Sequence, residues 1–436
     1  MYREISKLII YRQSAEDTIL SELGKVFKDL ETQSATDDDL RTRIYAQVRR
    51  LLELATKYGF DNNLWHNYLT FLIITDENPF SLTYEKAGVQ EGTVNGFAIN
   101  DFSVFKALFD FDFSKIEEAL DINCFTVLSN YKAIAKREQI FNKNVSEKVK
   151  ALSRRIENAK DGEEIFYVVA DFYRNCGVGM FGLNKAFRIE TDEHCTTMTF
   201  RAITNMHKVV LDDLIGYESQ KNALIENTEA FVSGKGGNNL LLYGDSGTGK
   251  STSIKAIVNQ YYDRGLRMIE IYKHQFGCLS RIISEIKNRN YRFVIYMDDL
   301  SFEESEIEYK YLKAIIEGGV ETKPDNVLIY ATSNRRHLIK ETWKDRSDMT
   351  QDGDLHRCET IEEKLSLVNR FGLSIGYFKP SRREFDDMVI ALASRYPEID
   401  MDREQLIAES HKWEMLGGGI SGRTAQQFVN HIRGLK

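Results

Sequence analysis

The sequence predicts an α/β protein: a doubly wound parallel sheet closed by a C-terminal helical domain and preceded by a mostly helical N-terminal domain. Three observations predict it. Short apolar runs (Leu240–Tyr243, Met268–Tyr272, Phe293–Met297, Val327–Ala331 and Leu373–Phe378) alternate with helical patterns, as crossover connections between parallel strands require. Ahead of them, Leu20, Leu23, Val26, Phe27 and Leu30, then Ile44, Val48, Leu51, Leu52, Leu54 and Ala55, fall at helical spacing. From Ser381 onward strands vanish, and Phe385–Ala393, Gln405–Leu416 and Arg423–Ile432 read as helices. The expected division is 1–190 helical, 191–207 a connector, 208–379 the α/β core and 380–436 the closing helices.

The N-terminal region continues its helical pattern through Phe102–Leu108, Ala133–Phe141 and Ile165–Tyr173, and it carries no chemical constellation. Gly177-Val-Gly179-Met-Phe-Gly182 matches the spacing of a dinucleotide-binding turn. It follows an amphipathic helix and not a strand, so it reads as a helix C-terminal turn. Composition narrows the class further. The chain of 436 residues is 42% hydrophobic, with a net charge of −8, which argues against an overall binder of polyanions. No run of 18 apolar residues exists, so no membrane span is expected, and the N-terminus lacks a secretory apolar core. The five cysteines, Cys124, Cys176, Cys195, Cys278 and Cys358, are widely spaced without a Cys-x-x-Cys pair, which favours reduced thiols in the cytoplasm.

The first core strand runs into Gly244-Asp245-Ser246-Gly247-Thr248-Gly249-Lys250-Ser251-Thr252, and a helical pattern follows. This is the G-x-x-x-x-G-K-[ST] phosphate loop in its proper setting. Glycines let the backbone turn its N–H groups around an anion, and the helix aims its positive end there. Lys250 can reach the β- and γ-phosphates, and Ser251 can place a hydroxyl on Mg²⁺. Phe293–Met297 ends in Asp298 and Asp299, at the carboxyl end of a strand, where ligands of such sheets sit. Asp298 is the candidate metal ligand and Asp299 the candidate group to polarise an attacking water. The alternative for both is a capped turn, and Glu303 and Glu304 read as solvated or helix-starting residues. Val327–Ala331 ends in Thr332-Ser333-Asn334, where Asn334 either contacts a γ-phosphate or water, or is a turn residue. Arg370 precedes the last strand and Arg423 opens a C-terminal helix; arginine's planar fork suits phosphate.

These motifs, in this order over roughly residues 208–436, resemble those of AAA+ ATPases. Gly244–Ser251 matches their Walker A motif, Asp298 and Asp299 Walker B, and Asn334 sensor 1. Arg370 matches the arginine finger and Arg423 the sensor 2 arginine of the helical lid. Leu211–Tyr217, with Ile215 and Gly216, resembles the segment lining the adenine. More narrowly, Asp298–Glu303, Ser333–Leu338, Glu362–Leu367, Arg370–Gly372 and Ser421–Phe428 resemble a bacterial family of predicted AAA+ ATPases of unknown function, as does Asn184–Arg188. The sequence departs from the common pattern at Asp299, where Glu is usual, and at Asn369, where Asp commonly precedes the finger. A pore loop is poorly matched: Gln275-Phe276-Gly277 reads as a loop with a buried Phe.

The resemblance implies Mg²⁺-dependent ATP binding and hydrolysis that drives remodelling or regulation of a macromolecular partner. ATP or ADP and Mg²⁺ are the implied cofactors. Lys250, Asp299, Asn334 and Arg370 are the candidate catalytic residues. A homo-oligomer is implied, because the finger acts on a neighbouring subunit's ATP, and the N-terminal helices are left to hold a protein partner. A slow, nucleotide-switched binding module is the second reading. A nucleic-acid loader is the third, on the basic runs Arg281, Lys287, Arg289, Arg292 and Lys136-Arg137, Lys148, Lys150, Arg154-Arg155. Such runs are usually solvated helix faces.

Overall fold

The computed structural model describes residues 1–12, 18–133, 143–192, 195–206, 208–302, 306, 308–317, 324–335, 338, 368–417 and 419–435. They form two compact units, Met1–Asn184 and Lys185–Lys436.

The first unit is helical throughout its regular structure. Its helices begin where polar caps stand ahead of apolar periodicity. Thr36 accepts the Asp39 N–H at the start of Asp37–Tyr58, whose first turn carries three aspartates; Gly59, at φ 70°, ends it. Asn78 and Ser81 form a reciprocal box at the start of Pro79–Ala87. Leu23, Leu69, Phe80, Phe102 and Phe105 are among the core residues these faces bury. Gly177 ends the helix Gly162–Cys176, and Gly179–Leu183 is a short helix, so Gly177–Gly182 is a helical turn without a preceding strand. Most of the helical pattern at Ala133–Phe141, with Lys136-Arg137, lies outside the described residues.

The second unit is built on a seven-stranded sheet: β1 (Ala186–Thr191), β2 (Met198–Ala202), β3 (Leu240–Gly244), β4 (Leu266–Glu270), β5 (Arg292–Met297), β6 (Val327–Ser333) and β7 (Leu373–Tyr377). Their order is β2-β1-β4-β5-β6-β3-β7, parallel throughout except for the antiparallel β1–β2 pair. All five expected strands are present. Helices Glu218–Val232, Lys250–Tyr261, Leu279–Ile286 and Glu308–Glu317 connect them, and Arg382–Ala393, Arg403–Leu416 and Gly422–Gly434 pack around Phe385, Val389, Ala425 and Phe428 as the closing helical domain.

Three expectations are corrected. The stretch expected to end the helical domain and cross to the core, 186–202, instead adds β1 and β2 to the sheet edge. β2 at the edge alternates exposed and half-buried residues, and Arg188 and Glu190 interrupt β1 beside it, so neither leaves an apolar run to read. β4 begins at Leu266, ahead of the apolar run, because Arg267 is 2% exposed. Its guanidinium lies over the Tyr262 and Tyr291 rings and donates to the Tyr262 and Leu266 carbonyls. The thiols are not all reduced. Cys195 and Cys278, 83 residues apart in sequence, are joined in a disulfide with Cα atoms 5.6 Å apart. The β1–β2 hairpin brings them together, which no spacing rule could show. Cys358 lies outside the described residues. Among the described residues, no helix is long and apolar enough to cross a membrane.

Candidate nucleotide site

β3 delivers the chain to the phosphate loop at the carboxyl edge of the sheet. Gly244, Gly247 and Gly249 take φ of 130°, 80° and 96°, a region closed to most side chains. At Gly244 the close approach is also steric, since a Cβ there would run into the Tyr377 carbonyl of β7. The helix Lys250–Tyr261 starts directly after Gly249, so its unpaired N–H groups face the loop.

Side chains from three strand ends meet above it. Lys250 is 6% exposed, and its Nζ donates to the carbonyls of Gly244 (2.9 Å) and Asp245 (2.6 Å) and to Asn334 Oδ1 (3.0 Å). Asn334 Nδ2 donates onward to Asp299 Oδ1 at 2.7 Å. A second cluster stands beside this one. Ser251 Oγ (2.7 Å) and Thr332 Oγ1 (2.6 Å) both donate to Asp298 Oδ1, and the Asp299 N–H donates to Thr332 Oγ1 at 2.9 Å. Asp299 sits at φ 50°, a left-handed position that Asp tolerates, and this turns the chain so that the two acids diverge.

Electrostatics follow from this packing. Burial lowers the Lys250 ammonium below its ordinary value, and the surrounding carboxylates of Asp245, Asp299 and Asp298 only partly restore it. Partial burial would raise the Asp298 carboxyl. Hydrogen bonds from Thr332 and Ser251 outweigh burial and hold it below the ordinary carboxylate value. Ser251 and Asp298 thus offer a hydroxyl and an ionised carboxylate side by side, hard oxygen donors of the kind Mg²⁺ takes together with phosphate oxygens.

A cavity of about 880 Å³ opens over these groups. Val209, Leu214 and Ile215 line one end, and the closing helices supply Met388, Leu392, Arg423 and Asn430. The Arg423 N–H donates to the Gly247 carbonyl at 3.1 Å, so the last helix touches the phosphate loop directly. At the apolar end Gly216 and Tyr217 both take positive φ. The Tyr217 ring stacks on Tyr377 at 5.1 Å, and its hydroxyl donates to the Phe378 carbonyl at 2.7 Å.

Of the residues singled out in the sequence, Ile215, Ser246, Gly247, Thr248, Gly249, Lys250, Ser251, Thr252, Asp298, Asp299, Asn334 and Arg423 line this cavity. Gly244 and Asp245 lie just beneath, with the Asp245 carboxylate turned to the Lys379 N–H, and Gly216 packs near Met388. Arg370 stands apart. It precedes the amino end of β7, and β7 runs parallel to β3, so it lies toward the sheet edge opposite the phosphate loop. Phe276 is 2% exposed against Phe302, a core residue as read. The basic runs are largely tied into the fold. Arg281 donates to the Cys195 and Thr196 carbonyls and Arg292 to that of Asp325, while Lys150 pairs with Asp61 and Arg155 with Asp171. Glu303, Glu304 and Glu362–Leu367 lie outside the described residues. Sequence reasoning missed Thr332 and Tyr296. Strand alternation puts Thr332 on the face of Asn334 and Tyr296 on that of Asp298, and that signal was available.

The phosphate loop, the strand order and the closing helices define a P-loop protein of AAA+ architecture. The chain belongs to the family described as protein of unknown function DUF815, whose match spans residues 183–436. No curated protein matches it. Among solved structures it is similar to the RuvB Holliday junction branch migration motor of Thermotoga maritima. There the identity is 16% over 52% of this chain and 64% of that one, with a TM-score of 0.36. It is also similar to PCH-2 of C. elegans, with 18% identity over 52% of this chain and 70% of that one and a TM-score of 0.35. The chain thus spans just under two thirds of the RuvB structure's length.

Proposed function

We propose that the protein binds and hydrolyses ATP with Mg²⁺ in this cavity and couples nucleotide state to a macromolecular partner. The observation that carries the proposal is the hydrogen-bonded chain Lys250–Asn334–Asp299 beneath the cavity. A γ-phosphate arriving at the loop offers Lys250 a charged acceptor in place of the neutral oxygens it now has, and offers the Asn334 amide a charged alternative to Asp299. As both turn to it, the Asp299 carboxylate is released to accept a proton from water. Asn334 then orients that water, and Asp299 is the general base. Ser251 and Asp298 are the residues that would hold Mg²⁺, which neutralises charge on the β- and γ-phosphates when bound. Arg423, bonded to the loop at Gly247, reports occupancy to the closing helices. Arg370, remote from its own cavity, acts on the ATP of a neighbouring copy, so the working form is a homo-oligomer. The N-terminal helices hold the protein partner, and the reaction belongs in the cytoplasm, where ATP is made.

Phosphate release from ATP by the wild type and by Lys250→Ala tests this. Turnover is expected only in the wild type; equal rates would remove the assignment. A slower, switch-like ATPase is the second reading. It is favoured by the Asp299 carboxylate, one methylene shorter than Glu and already engaged by Asn334.

A further inference from the structure

Tyr296 is fully buried on β5, yet its hydroxyl makes no hydrogen bond. Such orphans are rare, because an unmade hydrogen bond inside a protein is costly. A phenylalanine would fill the same space without that cost. The hydroxyl is not among apolar groups: Asp298, Ser251 and Thr332 lie close enough to act on its charge, but none meets it at hydrogen-bonding geometry. These three are committed to one another. Ser251 and Thr332 donate to the same Asp298 oxygen, and Thr332 accepts the Asp299 N–H. The phenol therefore stands beside the Ser251–Asp298 pair without a well-formed hydrogen bond to either.

We propose that Tyr296 belongs to the metal site: its hydroxyl oxygen accepts a hydrogen bond from a water in the hydration shell of Mg²⁺ entering with the nucleotide at Ser251 and Asp298. Mg²⁺ retains several waters when protein-bound, and their polarised O–H groups need acceptors around them. Tyr296 is on this account a positioning residue, fixing the metal's hydration and the Asp298 oxygen it adjoins. The inference rests on the Mg²⁺-nucleotide reading of the cavity.

The test compares the full chain with Tyr296→Phe, a change that keeps the packing. ADP is titrated into each by calorimetry with and without Mg²⁺, and each is melted in the same four conditions. Without metal, ADP affinity should be equal in the two proteins, and the variant should melt higher because the stranded hydroxyl is gone. With Mg²⁺, the wild type should bind ADP more tightly, and the variant should lose about tenfold of that gain, as when an outer-shell partner of a metal ligand is removed. Its melting advantage should shrink or reverse. An equal Mg²⁺-dependent gain in both proteins would make Tyr296 a packing residue and overturn the proposal. A wild type whose ADP affinity ignores Mg²⁺ would instead overturn the metal–nucleotide reading itself.

Discussion

Each unit of this protein buries a charge, and the two are satisfied differently. In the N-terminal unit Asp101 is fully buried, and its carboxylate accepts the backbone N–H groups of Ile9, Ile10 and Tyr11 at 2.7–3.1 Å. In the second unit Lys250 is almost as deeply buried, held by two loop carbonyls and Asn334 at the floor of a cavity. Apart from the Asn100 side-chain amide, Asp101's partners are fixed main-chain donors with nowhere else to go, so it staples the N-terminal segment to the core. Lys250's partners are two neutral loop carbonyls and a side-chain amide beneath an open cavity, and they could be exchanged for a ligand. A buried charge is evidence for function when its partners can let it go.

The largest expected effect that sharpens this contrast lies at Arg370, which is not among the residues lining its own cavity. Arg370→Ala should lower ATP turnover by about 10³–10⁵, the worth of an arginine acting on a transferring phosphoryl group. ATP affinity, measured separately by calorimetry, should hardly move. A wild-type rate in a variant that still assembles would remove the neighbouring-copy role. Next in size, Asp101→Ala strands three backbone donors and should destabilise the N-terminal unit by about 3 kcal/mol in denaturant titration. Nucleotide affinity should stay within twofold; a large loss there would break the division of labour between the units.

The smallest effect is a pH dependence confined to the N-terminal unit. His66 gives its Nε2 to the Phe109 carbonyl, its Nδ1 has no hydrogen-bond partner, and burial lowers its pKa below 6.5. The unfolded chain therefore takes up a proton that the folded unit refuses. Stability should be constant above the unfolded pKa and fall as pH drops through it toward the folded value. Denaturant midpoints at pH 7.5 and 5.5 check this, and His66→Gln should flatten the difference.

Much of the second unit could be read from the sequence because phosphate binding leaves few choices. A loop that wraps N–H groups round an anion needs glycines at left-handed positions, and a lysine and hydroxyl must follow at fixed offsets. The strand-end acids and Asn334 could be read because parallel strands are continuous apolar runs with abrupt polar ends. What escaped has the opposite character. β2 is the edge strand and β1 its neighbour, and polar residues interrupt both. Arg267 enters β4 as a charge buried between aromatic rings. Cys195 and Cys278 meet only once the hairpin has folded. Thr332 and Tyr296 carry no motif, and matter only through the atoms that strand alternation sets beside Asp298.

The central claim is that Lys250 and its neighbours are held ready for the phosphates of ATP. Calorimetric titration of Mg²⁺·ATP into the full-length wild type and Lys250→Ala tests it most directly. Saturable binding is expected of the wild type and its loss in the variant, while both unfold cooperatively without nucleotide. Binding of equal strength by both proteins would contradict it.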